Sequence, residues 1–469
     1  MPLLNASDIV PLSHCPRRFW YDRNQPPGLT EGDPDPFEAL IMELGLDHEE
    51  TVKNKLSAKH DLVEAESVEH TKALMEDGVD VIYQAQLLDR KNQLFGKPDF
   101  LLHQEDGTYQ AADAKLAQSI NSKIGIQLAF YRRLLGSKHD GLVYLGTGLT
   151  ETVGDKYNVK LDRYIDTAHT ILLATERPEA HYGETKCASC PYYNICQPEF
   201  VEAEDPSLLY GVDGRSLAGL RDAGLETISQ LAKADSKDIP DIPHLKGARK
   251  EKAVLQAKAW KTGALTKLNE IILPEGTWVH FDIEANPQTG GGHQHVYLWG
   301  FLLPPYAKSD FDYVWTDSIE EDKAGWLAFL AKVETYRERW PDLKLIHFAN
   351  YERDQIKTYA KKYEMTENQT VTWLLGSDGP LYDIQKAIKA NLVLPVSGYG
   401  LKNICKHPDL VNFQWEDDGS GSQWSVVQFI NFLNASDPSE KEALKNSILT
   451  YNRDDVRATR ALEEWLRRL

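Results

Sequence analysis

Three short stretches set ionisable residues into apolar, strand-like text: GKPDFLL at 96–102, AADAKLA at 111–117 and TWVHFDIEA at 277–285. On a β-strand, successive side chains alternate between faces. Asp113 and Lys115 therefore share one face, and Asp282 and Glu284 share another, opposite Val279, Phe281 and Ile283. Helical patterns flank each stretch. PFEALIMELGLDHEETVKNKL and IGIQLAFYRRLLG bracket the first two, and LKLIHFANYERDQIKTYAKKY and ILTYNRDDVRATRALEEWL follow the third. Strands alternating with helices predict an α/β architecture, repeated, in a chain of 469 residues with room for about three domains.

Acidic residues outnumber basic ones 71 to 52, a net charge of −19. That balance excludes a protein that binds nucleic acid over its whole surface. A metal-dependent nuclease remains open, because such a site collects carboxylates and the bound cations reverse the local sign. No apolar run approaches the roughly 20 residues of a membrane helix, so no membrane partner is expected. The opening MPLLNASDIVPLSHCPRRFW lacks the charged and apolar regions of a secretory signal, so a cytoplasmic location is expected. No GxxxxGK[ST] loop occurs, which leaves any ATP-driven motor to a partner.

Taken singly, the first candidates are weak. Asp113 and Lys115 could be a surface ion pair. His48 shares a helix face with Leu44 and Val52, as a buried core histidine would, and Gln127 and Tyr131, four apart, could be a packing stripe. Their order is more specific. His48, Asp99 in GKPDF, Asp113 and Lys115 in DAK, then Gln127 and Tyr131 in QLAFY resembles the RecB-like group of PD-(D/E)XK nucleases over residues 1–200, with Asp113 where many members have Glu. The resemblance implies a restriction-endonuclease-like domain in which His48, Asp99 and Asp113 bind Mg²⁺ or Mn²⁺. Lys115 would orient the attacking water and stabilise charge on the phosphate, and Gln127 and Tyr131 would contact the nucleic-acid strand. Hard oxygen ligands suit those cations.

KCASCPYYNICQ reads Cys-x₂-Cys-x₅-Cys, and SHCPRRF supplies a fourth thiol far upstream. Spacing alone fits a closed zinc site. One ligand before the nuclease core and three after it resembles the iron–sulfur subclass of RecB-like nucleases, which includes AddB-type enzymes and CRISPR adaptation exonucleases. That resemblance implies a [4Fe–4S] cluster on Cys15, Cys187, Cys190 and Cys196. Cys405, with no cysteine nearby, reads as a buried thiol.

Residues 201–272 form a segment of different composition. YGVDGRSLAGLRDAGLETISQLAKAD resembles a helix–hairpin–helix unit, though Asp213 stands where an anion would approach. HLKGARKEKAVLQAKAWK then concentrates Lys246, Arg249, Lys250, Lys252 and Lys258, either as a phosphate-tracking surface or as a solvated helical linker.

In the last third, Asp282 and Glu284 precede Glu352, and Tyr451 and Asp455 lie four apart on one helix. D-x-E, a later acid, then Y-x₃-D resembles the DEDD exonucleases on an RNase H-like fold, with text closest to the YprB-like group, over 273–469. It implies that Asp282, Glu284, Glu352 and Asp455 hold two metals while Tyr451 orients the water. Glu352 stands where the family usually has Asp, with Asp354 a nearby competitor, and Asp383 reads as structural. The whole chain thus resembles RecB-like nucleases fused to a YprB-type domain. That implies a two-site nuclease acting on single-stranded DNA, DNA ends or RNA, with a helicase or CRISPR adaptation partner in trans. Trp20, Tyr192 and Tyr193 could stack bases or belong to the core. The rival readings are a single-site nuclease whose other domain only grips nucleic acid, and a non-catalytic scaffold.

Overall fold

The computed structural model describes residues 2–26, 36–287, 294–416 and 422–469. The chain divides into two units. Residues up to Ala180 and Ala188–Ile195 build the first; His181–Cys187, Cys196–Pro287 and Gln294–Leu469 build the second. Among the described residues, no helix is long and apolar enough to cross a membrane.

The first unit is organised by a sheet of β1 (Leu62–Glu64), β2 (Val81–Tyr83), β3 (Phe100–His103), β4 (Tyr109–Lys115), β5 (Gly141–Leu145) and β6 (Thr150–Val153), in that spatial order. β4 pairs antiparallel with β3 and parallel with β5. A parallel pair needs a crossover, here the helix α2 (Ser122–Leu135), started by Asn121, whose side chain caps Lys123 and Ile124, and ended by left-handed Gly136. Strand alternation sorts the two faces. Leu101, Tyr109, Ala111 and Val143 pack with Ile124 and Leu128 of α2, whereas Phe100, Ala112 and Ala114 pack with Val52 of α1 (Pro36–Ser57). Asp113 and Lys115 follow the parity of Ala111 and lie on the α2 face.

The second unit carries a sheet in the order β9-β8-β7-β10-β11: β7 (Trp278–Asn286), β8 (His295–Leu302), β9 (Phe311–Trp315), β10 (Lys344–His347) and β11 (Leu381–Asp383). β7 is antiparallel to β8 and parallel to β10. Val279, Phe281 and Ile283 pack with Trp326, Phe329 and Ile356 in one core. On the other face, Trp278 shares a core with Ala458 and Leu462 of the long helix α9 (Pro438–Arg468). His280, also on that face, meets Glu463 at 2.9 Å.

Residues 201–272 do not stand apart. α5 (Ala248–Thr262) buries Ala253, Val254 and Ala257, and Gln256 donates to the carbonyls of Leu394 and Val396. Thr266–Lys267 then pairs with Leu392–Val393. The segment is therefore part of the second unit, held by contacts that no local pattern announces.

Candidate functional site

In the first unit, the β3–β4 pairing draws three ionisable groups together. Asp99 immediately precedes β3; its backbone N–H donates to Asp113 Oδ1 at 3.1 Å, and Ala114 N–H donates to Asp99 Oδ2 at 2.9 Å. Lys115 Nζ lies 2.9 Å from Asp113 Oδ2 and 3.6 Å from Asp99 Oδ2. The Asp113 contact is an ion pair off hydrogen-bond geometry, and the buried Oδ2 has no other partner. Burial and the Asp113 charge push Asp99 up to about 7, against the opposing pull of Lys115. Burial works against the Lys115 ammonium, yet the two carboxylates outweigh it and hold the lysine above its ordinary range. A buried carboxylate oxygen without a hydrogen bond, beside a second carboxylate, is a donor set that fits a hard divalent cation.

His48 Nε2 contacts the Tyr144 carbonyl at 3.0 Å, on the neighbouring strand β5. Its neighbour Glu49 is the α1 group whose charge raises Asp99, and Tyr83 donates to Glu49 at 2.9 Å. Sequence reading missed Glu49; one step along a helix turns a side chain through about 100°, so the choice within His-Glu needed the packing. Gln127 Nε2 donates to the Tyr131 hydroxyl at 2.9 Å, and Tyr131 is buried beside the pair, its hydroxyl pushed well up by burial and by Asp113.

The second unit gathers a larger cluster. Asp282, Glu284 and Asp455 present oxygens that all lie within 4.8 Å of one another. Burial raises Asp282 well above the carboxylate range, and the charges of Glu284, Asp455 and Glu352 add to it. Burial and Asp455 push Glu284 to about 8, and burial pushes Asp455 to about 6. Glu352, buried in the first turn of α6 (Tyr351–Lys362), lies 3.3 Å from His347, and its charge raises Asp282. Asp354 is instead paired with Lys357 on the surface at 3.0 Å, and Asp383 caps a helix through Lys386 N–H. Burial, then the charges of Asp455, Glu284 and Asp282, push the Tyr451 hydroxyl far up and keep it protonated. So many buried acids at one point are costly without a cation, and their hard oxygens fit one.

Four residues of this cluster escaped the sequence reading. Asn452 Nδ2 donates to Asp282 Oδ2 at 2.6 Å, Ser425 of α8 (Ser422–Asn434) donates to Glu284, and Trp415 Nε1 donates to Asp455 Oδ1 at 2.7 Å. Lys402, in α7 (Leu401–Cys405), places Nζ 5.1 Å from the Tyr451 ring centre and 5.6 Å from that of Trp415. Its charge pulls Glu284 and Asp455 back down. Gly300 sits opposite Asp282 in the β7–β8 register, and a Cβ there would overlap Asn452 Oδ1 at 1.8 Å.

The remaining candidates lie outside the two carboxylate clusters. None of the five cysteines is disulfide-bonded; Cys15, Cys187, Cys190 and Cys196 are half-buried and Cys405 is buried. Tyr192 is a core residue, its hydroxyl donating to Asp22 at 2.9 Å. Asp213 caps α4 (Gly214–Asp222) through Arg215 and Ser216 N–H, filling the place an anion would take. Lys250 is turned onto the Ile239 carbonyl and Asp241, and Lys252 onto the Lys389 carbonyl, whereas Lys246, Arg249 and Lys258 stay exposed.

A model of the PD-(D/E)XK nuclease superfamily matches residues 21–197, and one of the RNase H superfamily matches residues 279–467. No curated protein matches the chain. A solved structure titled "Crystal structure of SSO0001" is similar at 12% identity over 42% of this chain and 86% of that one, with a TM-score of 0.23, too slight to inform fold or site. The two carboxylate clusters thus lie one within each matched segment, and the chain carries a PD-(D/E)XK nuclease superfamily domain followed by an RNase H superfamily domain.

Proposed function

We propose that the chain is a nuclease with two metal-dependent active sites, hydrolysing phosphodiester bonds in single-stranded DNA or at DNA ends. The observation that carries this reading is the convergence of Asp282, Glu284 and Asp455 within 4.8 Å. Asp282, Glu284, Glu352 and Asp455 would hold the cations of one site; Asp99 and Asp113, with His48 or Glu49, would hold those of the other. Mg²⁺ or Mn²⁺, when bound, supplies water activation and phosphoryl polarisation. Lys115 adds a fixed positive charge that stabilises the negative charge developing on the phosphate. Tyr451, its hydroxyl kept protonated, would orient the attacking water. Gln127 and Tyr131 would contact the nucleic-acid strand, and Lys246, Arg249 and Lys258 would offer sequence-independent phosphate contacts.

Cys15, Cys187, Cys190 and Cys196 would ligate a [4Fe–4S] cluster. Protein purified without oxygen should then absorb broadly near 400 nm and carry about four irons per chain; stoichiometric zinc in a colourless preparation would refute this. Without a P-loop of its own, the chain would take any unwinding from a helicase or CRISPR adaptation partner. The deciding experiment is cleavage of end-labelled single- and double-stranded DNA and RNA with Mg²⁺ or Mn²⁺. Metal-stimulated cleavage lost with EDTA supports the reading; no cleavage of any substrate leaves a scaffold.

A further inference from the structure

Beside Tyr451, in the second unit, lies a cavity of about 350 Å³ walled by Trp415, Trp424 and Tyr451 and edged by Asn446, Ser447 and Thr450. Trp424 and Tyr451 stand 5.7 Å apart, centre to centre, at 51°. Trp415 is fixed by its bond to Asp455, so one wall of the cavity is tied to the carboxylate cluster. The volume is at the small end of the range for ligand pockets, enough for one planar ring system rather than a helix or a duplex.

The charge of the lining says which part of a nucleotide could enter. No lysine or arginine is among the described residues that line it, and Glu416 and Asp454 are. Asp454 accepts from Glu416 N–H at 2.7 Å and from Arg457 at 2.9 Å, so it is a fixed part of the wall. Glu416 is likewise paired, with Lys308, Arg453 and Arg457, so the described lining holds no cation for a phosphate to meet. A neutral base would find aromatic faces to stack on and hydroxyl and amide groups at its edge.

We propose that this groove receives an unpaired nucleobase of the strand whose phosphate lies at the Asp282–Glu284–Asp455 cluster, with Trp424 as the stacking platform. The proposal rests on the nuclease reading and narrows its substrate. A base within a duplex must leave its stack to reach such a pocket, so the second site acts on single strands or frayed ends.

The test compares binding of a short oligothymidylate and an abasic backbone of equal length to the full-length protein, by fluorescence anisotropy with Ca²⁺ in place of Mg²⁺. The phosphates are identical, so the difference reports the bases. Trp424→Ala should shrink the preference for oligothymidylate by about 5- to 150-fold, the worth of stacking one base, and Trp424→Phe should retain most of it. Asn446→Trp, at the exposed mouth, blocks the groove without entering the core and should cause the same loss even if Trp424→Ala folds poorly. If both Trp424→Ala and Asn446→Trp discriminate as well as the wild type, the pocket assignment is wrong while the nuclease reading stands. If the wild type binds neither oligonucleotide and cleaves nothing, both fall together.

Discussion

The two carboxylate clusters solve one electrostatic problem in opposite ways. In the first unit the acids come from paired neighbouring strands, and their counter-charge is built in, with Lys115 2.9 Å from Asp113. In the second, the acids come from a strand and two distant helices. There the charge of Lys402, whose Nζ lies 5.1 Å from the Tyr451 ring centre, offsets only part of the rise in Glu284 and Asp455. The first cluster sets one lysine against two acids; in the second, burial and neighbouring carboxylates raise Asp282, Glu284 and Asp455 together. A compact, locally encoded site can carry its own cation. A site assembled from far along the chain can draw more acids to one point than its own cation offsets.

The contrast is broken most directly by mutation. Asp282→Ala should take the second site's cleavage to background, while Lys115→Ala should cost the first site on the order of 10²–10³ in rate, as for the loss of other electrostatic stabilisers. End-labelled substrates should resolve two components, each lost in one variant and both in the double variant. If Lys115→Ala alone removes all cleavage, the second cluster binds metal or strand without cutting.

Smaller, but more telling about the protons, is the pH dependence of the metal-free protein. Its carboxyls hold protons more tightly folded than unfolded, so their contribution to stability is complete below the ordinary values of 3.8 and 4.5. That contribution is lost as pH rises through about 6 for Asp455, 7 for Asp99 and 8 for Glu284. Thermal melts in EDTA should therefore fall from pH 5.5 to pH 8, and Mn²⁺ should raise the melting temperature more at pH 8 than at pH 5.5. Asp282→Asn should flatten the slope more than Asp99→Asn. A slope that is equal in both variants would erase the difference between the clusters.

The smallest expected effect sharpens the comparison. Lys402→Ala removes the charge that lowers Glu284 and Asp455. Second-site activity should fall roughly 2- to 5-fold at neutral pH, the worth of one cation over an aromatic face, and its acid limb should move to higher pH. Lys402→Arg should restore both. A loss without any shift of the limb would make Lys402 a packing residue.

Much of this could be read before any coordinates. Asp113 with Lys115 and Asp282 with Glu284 are legible because strand parity is a strict rule, and Tyr451 with Asp455 because four residues complete a helical turn. What stayed hidden depends on long-range packing. Nothing in the local text distinguishes Glu352, whose charge raises Asp282, from Asp354, which turns to Lys357. The basic run reads correctly as charge, but Lys250 and Lys252 bend back onto carbonyls that lie far from them in sequence or round a turn. The placement of 201–272 rests on Gln256 meeting Leu394 and Val396, a pairing without periodic signature.

Gly300 has a meaning beyond this one chain. Its missing side chain is the space in which Asn452 stands while holding Asp282. The two positions should therefore change together. Among relatives, a residue larger than glycine at 300 should be accompanied by a smaller one at 452, and lineages should cross between the two states in pairs of changes. A sequence survey that finds them drifting independently would mean that the strand and the helix can part without disturbing the acid between them.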